Sequence, residues 1–288
     1  MDKREFISDT DKTGQQKNWD SVAIGWQKWW KIFEKGGQKV SDKLVELAGI
    51  ETGQRVLDVA TGIGEPALTA CRRVGDSGYV LATDISPEML EIGRRGAQHE
   101  GLNNIDFKVG DAATIDIPSS SFDAALCRWG LMFFPKLSDA LDNIRKSLVS
   151  DGKFAAAVWA EPSKVPQLNI AMSIVREYLH LPLPPREVPG PFSLADINKL
   201  RNLLLQADFN DIKSKNIRVT FEFDSAQDFV RFTQDIAAPV NLMLANETAE
   251  KKAEIWNIVA DKVKCEYTID NGHVLLNNDT ICVAANRQ

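Results

Sequence analysis

The sequence predicts an α/β protein in which helices pack on both faces of a mainly parallel sheet. Short apolar segments alternate with amphipathic segments of helical periodicity from about residue 55 to residue 160. Such alternation is typical of βαβ units. Near the end of the chain, two apolar segments flank three polar residues, a pattern that predicts an antiparallel hairpin.

Composition limits the kinds of ligand. The 288 residues are 44% hydrophobic and 26% charged, with a net charge of −6, which disfavours nucleic acid as a partner. Four scattered cysteines and three histidines predict no disulfide framework and no metal site. No apolar run approaches the ~20 residues of a membrane span. We therefore expect a cytoplasmic monomer or homodimer that acts on a small molecule.

Two amphipathic helices precede the first predicted strand. One apolar face at helical spacing contains Trp19, Val22, Ala23, Trp26, Trp30 and Phe33. Gly36-Gly37 is expected to end this helix, and a second helix is expected over residues 40–48.

The central segment supplies five predicted strands and the helices between them. The strands are expected at 55–60, 79–83, 105–109, 122–127 and 153–159. The helices are expected at 66–73, 86–99 and 137–148, the second with Ser86 as N-cap and Pro87 at its first position.

The rhythm changes after Glu161. Seven prolines occur within residues 161–192, around one apolar helix at 168–179. The remaining elements are expected to be a helix from the N-cap Ser193 to about residue 207, a strand at 212–223, helical structure over 225–263, and a hairpin of 274–276 with 281–285.

Acidic residues follow three successive strands. Residues 56–64 read Val-Leu-Asp-Val-Ala-Thr-Gly-Ile-Gly, and glycines in such a turn let a ligand lie against the backbone, next to a helix N-terminus. Asp84 ends the second strand, where a carboxylate can accept hydrogen bonds from both hydroxyls of a ribose. Asp111 follows the third strand, where it can accept from an adenine amino group.

These segments resemble the class I S-adenosylmethionine-dependent methyltransferases. The resemblance is carried by Asp58-x-Ala60-x-Gly62-x-Gly64, by Asp84 within Ala-Thr-Asp-Ile-Ser-Pro-Glu-Met-Leu, and by Gly110-Asp111-Ala112. Residues 121–123 and 128–135 further resemble the ubiquinone/menaquinone-biosynthesis C-methyltransferases and their small-molecule relatives. The resemblance to these methyltransferases implies a Rossmann-like, doubly wound, seven-stranded sheet with a terminal antiparallel hairpin and helical lid insertions.

The resemblance also implies the cofactor, S-adenosyl-L-methionine, and its site. Asp58 and Gly62 would hold the methionine end, Asp84 the ribose and Asp111 the adenine. The full implied set is Asp58, Ala60, Gly62, Gly64, Asp84, Ile85, Met89, Gly110, Asp111, Ala112 and Arg128. Ala60 replaces the commoner first glycine. Arg128-Trp129 differs from the residues usual in the quinone enzymes, which leaves the acceptor open.

Catalysis and acceptor binding have fewer candidates. A sulfonium is already activated, so the protein must align the acceptor and exclude water, with a general base for a phenol or carbon acid. His180 is the candidate base. The alternative is that it is a histidine of a surface loop. The candidates for the acceptor pocket are Trp26, Trp30, Trp129 and Trp159. The alternative is that these side chains belong to the hydrophobic core. These residues favour an apolar or aromatic acceptor.

Two other functions fit part of the pattern. Gly62-x-Gly64-x-x-Ala67 with Asp84 also fits an NAD(P)-dependent oxidoreductase, although no tyrosine has a lysine four residues later. A non-catalytic protein could keep the same fold. We expect residues 1–40 to form a helical cap, 41–160 the cofactor-binding core and 161–192 a lid. Residues 193–288 would complete the sheet, with a helical insertion at 225–263.

Overall fold

The computed structural model describes residues 12–185 and 188–288, and only the backbone of Lys12. The first elements along the chain are α1 (Lys12–Leu47), β1 (Arg55–Val59), α2 (Ala67–Val74), β2 (Tyr79–Asp84), α3 (Pro87–His99), β3 (Ile105–Val109), β4 (Phe122–Arg128), α4 (Leu137–Ser147) and β5 (Leu148–Trp159). They are followed by α5 (Pro166–Tyr178), α6 (Ile197–Gln206), β6 (Phe209–Phe223), α7 (Ala226–Ile236), α8 (Ala238–Leu244), α9 (Ala249–Tyr267) and β7 (Val274–Arg287).

The strands form one seven-stranded sheet in the order β3-β2-β1-β4-β5-β7-β6. The first five strands are parallel, and β7 runs antiparallel to both of its neighbours, β5 and β6. The predicted α/β fold with a mainly parallel sheet and a terminal antiparallel pair is therefore confirmed. Helices cover both faces, and no described helix is long and apolar enough to cross a membrane.

The prediction that Gly36-Gly37 ends the first helix is wrong, because α1 is one continuous helix of 36 residues. A Cβ on Gly36 would lie 2.6 Å from the carbonyl oxygen of Thr220, and one on Gly37 would lie 3.2 Å from the Arg128 guanidinium. The two glycines thus let α1 pack closely against β6 and the end of β4. Of the predicted cap at residues 1–40, residues 1–11 lie outside the described residues.

The hairpin predicted around residues 277–279 is also corrected, because β7 is a single strand of 14 residues. The polar residues that suggested a turn are paired across the strand. Asn278 is fully buried, and its Nδ2 donates to the carbonyl of Val219 at 3.3 Å. Asn277 accepts from the Thr220 hydroxyl at 2.7 Å. The antiparallel pair is instead β6 and β7, with α7, α8 and α9 between them in sequence.

Helix α6 begins three residues later than predicted. Its N-cap is Asp196, whose carboxylate accepts from the backbone N–H of Asn198 at 2.9 Å. Ser193, the predicted cap, donates its hydroxyl to the carbonyl of Met132 at 2.8 Å instead. That bond ties the segment before α6 to the loop after β4.

Candidate functional site

A cavity of about 500 Å³ lies where the strands β1 to β5 end. Ligands of open α/β sheets bind at this edge, outside the carboxyl ends of the strands. The loops after β1, β2, β3 and β4 line one side of the cavity, and helices α1, α5, α7 and α8 line the other. Side chains from segments before and after the strands β1 to β5 therefore close over the ends of these strands.

The loop after β1 turns sharply at two residues that line the cavity. Ala60 and Gly62 have φ angles of 56° and 57°, in the left-handed region. The Gly62 N–H donates to Oδ2 of Asp84 at 2.8 Å, which joins this loop to the end of β2.

Gly64 does not line the cavity, which corrects its predicted role as a cofactor contact. Its φ is 114°, and a Cβ there would lie 3.2 Å from the Cα of Gly93. Gly64 therefore allows the turn before α2 to pack against α3, and it supports the site from outside the lining.

Asp58, near the end of β1, is fully buried and does not itself line the cavity, whereas Thr61, three residues later, does. Neither carboxylate oxygen makes a hydrogen bond of good geometry with the described residues, although the Thr61 hydroxyl and the Ala67 N–H lie close enough to stabilise the charged form. Burial raises the pKa of Asp58 to about 7. A buried acceptor without a hydrogen bond of good geometry is rare in native proteins, so these groups fit a polar or cationic ligand group at this end of the cavity.

Asp84 lines the cavity and is 8% exposed. Besides Gly62, the Ser86 N–H donates to its Oδ1 at 2.9 Å. Burial raises the pKa of Asp84 to about 6, although these backbone N–H groups act to lower it. Each carboxylate oxygen keeps a free lone pair, so Asp84 can still accept from the hydroxyls of a sugar.

The other residues implied for the nucleoside end also line the cavity. They are Ile85, Met89, Gly110, Asp111 and Ala112. Asp111 accepts from the Ala113 N–H at 2.9 Å, and this bond orients the carboxylate in the loop after β3.

Arg128 lines the cavity, and its guanidinium is held by the cap helix. It donates through both terminal nitrogens to Glu34, on α1, and donates to the Ser41 hydroxyl at 2.9 Å. The side chains of Arg128 and Glu34 are 5% and 9% exposed. The guanidinium therefore fixes α1 against the end of β4, a role that the sequence did not predict.

Glu65 is a second buried acid that the sequence analysis missed. It lines the cavity, and its Oε2 accepts from the Thr69 hydroxyl at 2.6 Å. Burial and the nearby charge of Glu34 raise the pKa of Glu65. The sequence signal that could have identified Glu65 is its position directly after Gly64. Glu34 offered none, because its partner is Arg128, 94 residues away.

Three of the four predicted tryptophans line the cavity. Trp129 and Trp159 stack on each other with ring centroids 4.4 Å apart, and the indole N–H of Trp129 donates to the Thr280 hydroxyl. Trp26 lines the cavity beside Phe33. Trp30 is the exception and the prediction for it is wrong: it is 46% exposed and lies outside the lining, because it faces away from the sheet.

The structure does not bring His180 to the cavity, which corrects its prediction as the general base. His180 is exposed just after α5, with a φ of 52°, and is absent from the lining. The chain turns at this residue after α5 ends, and its side chain lies at the surface. No histidine lines this cavity among the described residues.

The comparisons with known proteins agree with this geometry. Residues 56–152 match the family model of a methyltransferase domain. The ubiquinone/menaquinone biosynthesis C-methyltransferase UbiE of Azotobacter vinelandii is 32% identical over 145 residues, 50% of this chain and 53% of UbiE. The aklanonic acid methyltransferase DauC of a Streptomyces species is 36% identical over 113 residues, 39% of this chain and 51% of DauC.

Solved structures share the fold at lower identity. The protein YcgJ of Bacillus subtilis has a TM-score of 0.58 at 17% identity, over 87% of this chain and 99% of YcgJ. Phosphoethanolamine N-methyltransferase 2 of Haemonchus contortus, solved with S-adenosyl-L-methionine, has a TM-score of 0.56 at 18% identity, over 98% of this chain and 59% of that one. The [4+2]-cyclase SpnF has a TM-score of 0.53 at 18% identity, over 86% of this chain and 81% of SpnF.

The chain thus combines this sheet order and a cavity at the strand ends with a segment, residues 56–152, that matches the family model of a methyltransferase domain. Its core resembles that of the UbiE C-methyltransferases, as the sequence motifs predicted. The chain spans about half the length of the curated relatives that it matches.

Proposed function

We propose that this protein transfers a methyl group from S-adenosyl-L-methionine to a small, apolar or aromatic organic acceptor. The observation that carries the proposal is the charge at the inner end of the cavity. Three buried carboxylates, of Asp58, Glu34 and Glu65, interact there with the buried guanidinium of Arg128. The partly exposed Arg72 also contacts Glu65, at 3.4 Å, so the carboxylates outnumber the guanidinium groups by one. The excess of negative charge favours a cationic ligand, such as a sulfonium that carries an α-ammonium group.

The chain's own residues divide the work of binding the cofactor. Asp84 would accept from the ribose and Asp111 from the adenine, at the ends of neighbouring parallel strands. Asp58 and Thr61 would serve the other end, where the methionine part would complete the hydrogen bonding of their buried oxygens. Ala60 and Gly62 give the ligand a backbone surface to lie against.

When bound, S-adenosylmethionine supplies an activated methyl group, so the protein need only position the acceptor and exclude water. The cap helices and the stacked Trp129 and Trp159 enclose the cavity with apolar surface. Pockets with mostly apolar walls and a few polar groups are typical of small-molecule sites. Aromatic walls favour an aromatic, quinone, isoprenoid or polyketide-like acceptor.

The proposed division of labour follows the chain. Residues 1–40 would act as a cap, 41–160 as the cofactor-binding core, and 161–192 as a lid. Residues 193–288 would complete the sheet, with their helical insertion at 225–263 adding to the lid. The net charge of −6 supports a small molecule, not nucleic acid, as the partner. We place the protein in the cytoplasm, as a monomer or homodimer.

Calorimetry with the purified protein tests the proposal. S-adenosylmethionine and S-adenosylhomocysteine should each bind with a micromolar Kd, about −8 kcal/mol. NAD⁺ and NADP⁺ should show no binding, because an antiparallel β7 between β5 and β6 differs from the strand order of the dinucleotide-binding fold. Binding of NAD(P) with no response to S-adenosylmethionine would overturn the assignment.

A radiolabelled methyl-transfer assay then separates an enzyme from a non-catalytic relative. The panel should contain hydroxylated aromatics, hydroquinones and polyketide acids, each incubated with tritiated S-adenosylmethionine. Label should appear in at least one organic-phase product. Tight cofactor binding with no transfer to any acceptor would favour a non-catalytic protein, or one with the fold but another reaction.

A further inference from the structure

The cap side of the cavity contains few polar side chains, and among the described residues only Trp26 and Gln167 have a buried polar atom there without a partner. Gln15, Glu34 and Thr233 line the cavity, and each makes a side-chain hydrogen bond within the protein. Gln167, in the first turn of α5, lines the same cavity and is 3% exposed. Its carbonyl oxygen Oε1 has no hydrogen-bond partner among the described residues.

The backbone of Gln167 is held in place by a buried network. Oδ1 of Asn278, on β7, accepts from the Gln167 N–H at 3.0 Å. The Asn278 amide nitrogen donates in turn to the carbonyls of Val219 and Leu276, at 3.3 and 3.0 Å. Asn278 is fully buried, so the start of α5 is fixed to the sheet. The Gln167 side chain is thus placed at the cavity wall by a rigid support.

An unpartnered amide in such a position is costly for the protein alone. A buried polar atom without a partner loses the hydrogen bonds that it made to water and gains none in return. A ligand that supplies the missing partner recovers this free energy. A carboxamide can turn either its oxygen or its NH₂ group to one side, and a hydroxyl pairs with either because it both donates and accepts.

We propose that Gln167 selects acceptors that carry a hydroxyl group on an otherwise apolar ring, by hydrogen-bonding that hydroxyl. The inference rests on the proposed function, because it assigns the acceptor side of the same cavity. The nearby wall is apolar: Leu168 and Met172 from α5 and the ring of Trp159 line it. A site built to bind one hydroxyl rejects analogues that lack it, because its own polar group is then left unpaired.

Ligand-observed NMR with two shape-matched probes tests the proposal. The protein is saturated with S-adenosylhomocysteine, so that no transfer occurs, and is titrated with 2-naphthol and with 2-methylnaphthalene. Wild type should bind 2-naphthol about tenfold more tightly, the effect of one hydrogen bond in a buried site. Gln167→Met, which keeps the length of the side chain, should make the two affinities equal.

Met172→Leu is the matched control, because it alters the wall on the same helix without a polar atom. It should change both affinities by the same factor. A melting curve of ligand-free Gln167→Met adds an independent readout. Its melting temperature should equal or exceed that of wild type, because the substitution removes an unpartnered polar group. A structural glutamine would instead give a lower value.

Equal affinities of wild type for the two probes, or no binding of 2-naphthol up to its solubility limit, would overturn the proposal. So would a preference for 2-naphthol that survives in Gln167→Met. The failure of the proposed function gives a different result, because S-adenosylhomocysteine itself would then fail to bind before any probe is added.

Discussion

The charged residues at the inner end of the cavity destabilise the folded state. Asp58 is fully buried without a hydrogen bond of good geometry from the described residues, and Glu65 is buried close to Glu34. A fold optimised for stability alone would not keep such groups. Their presence where a cation is expected is consistent with stability given up for binding.

Asp58→Asn tests this destabilisation directly. The variant keeps the shape of the side chain but cannot become charged. Binding of S-adenosylhomocysteine should weaken at least tenfold, the loss of one charge-assisted interaction, measured by calorimetry at pH 8. The ligand-free protein should melt at a higher temperature than wild type, because no charge is then forced into the interior.

Asp261→Asn, on the exposed face of α9, is the control and should change neither quantity. A lower melting temperature of ligand-free Asp58→Asn would mean that the carboxylate has a structural role. The hypothesis that it is reserved for the cofactor would then have to be abandoned.

Glu34 and Arg128 form the buried pair that ties the cap helix to the sheet. Glu34→Ala leaves the guanidinium without its main partner, so we expect a loss of about 3–5 kcal/mol of unfolding free energy, measured by urea denaturation. The double variant Glu34→Ala/Arg128→Met should recover part of that loss, because it leaves no unpaired charge.

The exposed pair Lys35–Glu222 joins the same helix to β6, with side chains that are 73% and 35% exposed. Lys35→Ala should therefore lower the unfolding free energy by less than about 1 kcal/mol. If Glu34→Ala were as mild as Lys35→Ala, the buried pair would contribute little to holding the cap.

At the scale of elements, α1 both lines the site and holds the elements around it together. It contacts α3, α7, β5, β6 and β7. Its glycines mark the places of closest approach: a Cβ on Gly25 would lie 2.1 Å from the carbonyl oxygen of Asp235. The Asp235 carboxylate also accepts from Lys28 and from the indole of Trp29. Helix α7 is thereby held against α1 over the cavity.

Gly36→Ala should destabilise the protein although alanine is the better helix former. Alanine gains about 1 kcal/mol of helix propensity, but its Cβ would lie 2.6 Å from a backbone carbonyl of β6. Overpacking of this kind loses about 1–3 kcal/mol, so the melting temperature should fall by several degrees.

Gly96→Ala in α3 is the matched control. Its Cβ would lie 3.5 Å from a Leu68 methyl group, an ordinary contact, so helix propensity should dominate and the melting temperature should rise or stay unchanged. A stabilised Gly36→Ala would show that α1 can move away from the sheet without loss.

For the molecule as a whole, burial of acids links stability to pH. The pKa of Asp84 is raised to about 6 and that of Asp58 to about 7, above the value of about 3.9 in an unfolded chain. Between pH 4 and pH 7 the folded state therefore binds more protons than the unfolded state. The stability contributed by these two groups is complete below pH 4 and is lost as pH rises to about 7.

We expect the melting temperature of the ligand-free protein to fall between pH 5 and pH 8, and the affinity for S-adenosylhomocysteine to rise over the same interval. Ionised carboxylates are needed to accept hydrogen bonds from the ligand, and these bonds offset the free energy that is lost when the carboxylates are buried. Asp58→Asn should flatten both curves. Affinity that is independent of pH in wild type would contradict the assigned roles of both acids.

The sequence by itself determined the core of the fold. The strands β1 to β4 and helix α3, with Ser86 as its cap, lie close to their predicted positions, and β5 ends where predicted but begins five residues earlier. Their signals are local, since apolar alternation, caps and glycine turns act within a few residues. The cofactor motifs were visible for the same reason: parallel strands bring the ends of β1, β2 and β3 to one edge of the sheet.

Only the tertiary structure decided what depends on contacts between distant residues. Gly36-Gly37 resembles a helix end until β6 packs on it, and residues 277–279 resemble a turn until β6 pairs with β7. Glu34 has no local feature that distinguishes it from the other charges of α1. The same limit applies to Trp30 and His180, because whether a side chain faces the cavity or the solvent depends on how the elements pack against one another.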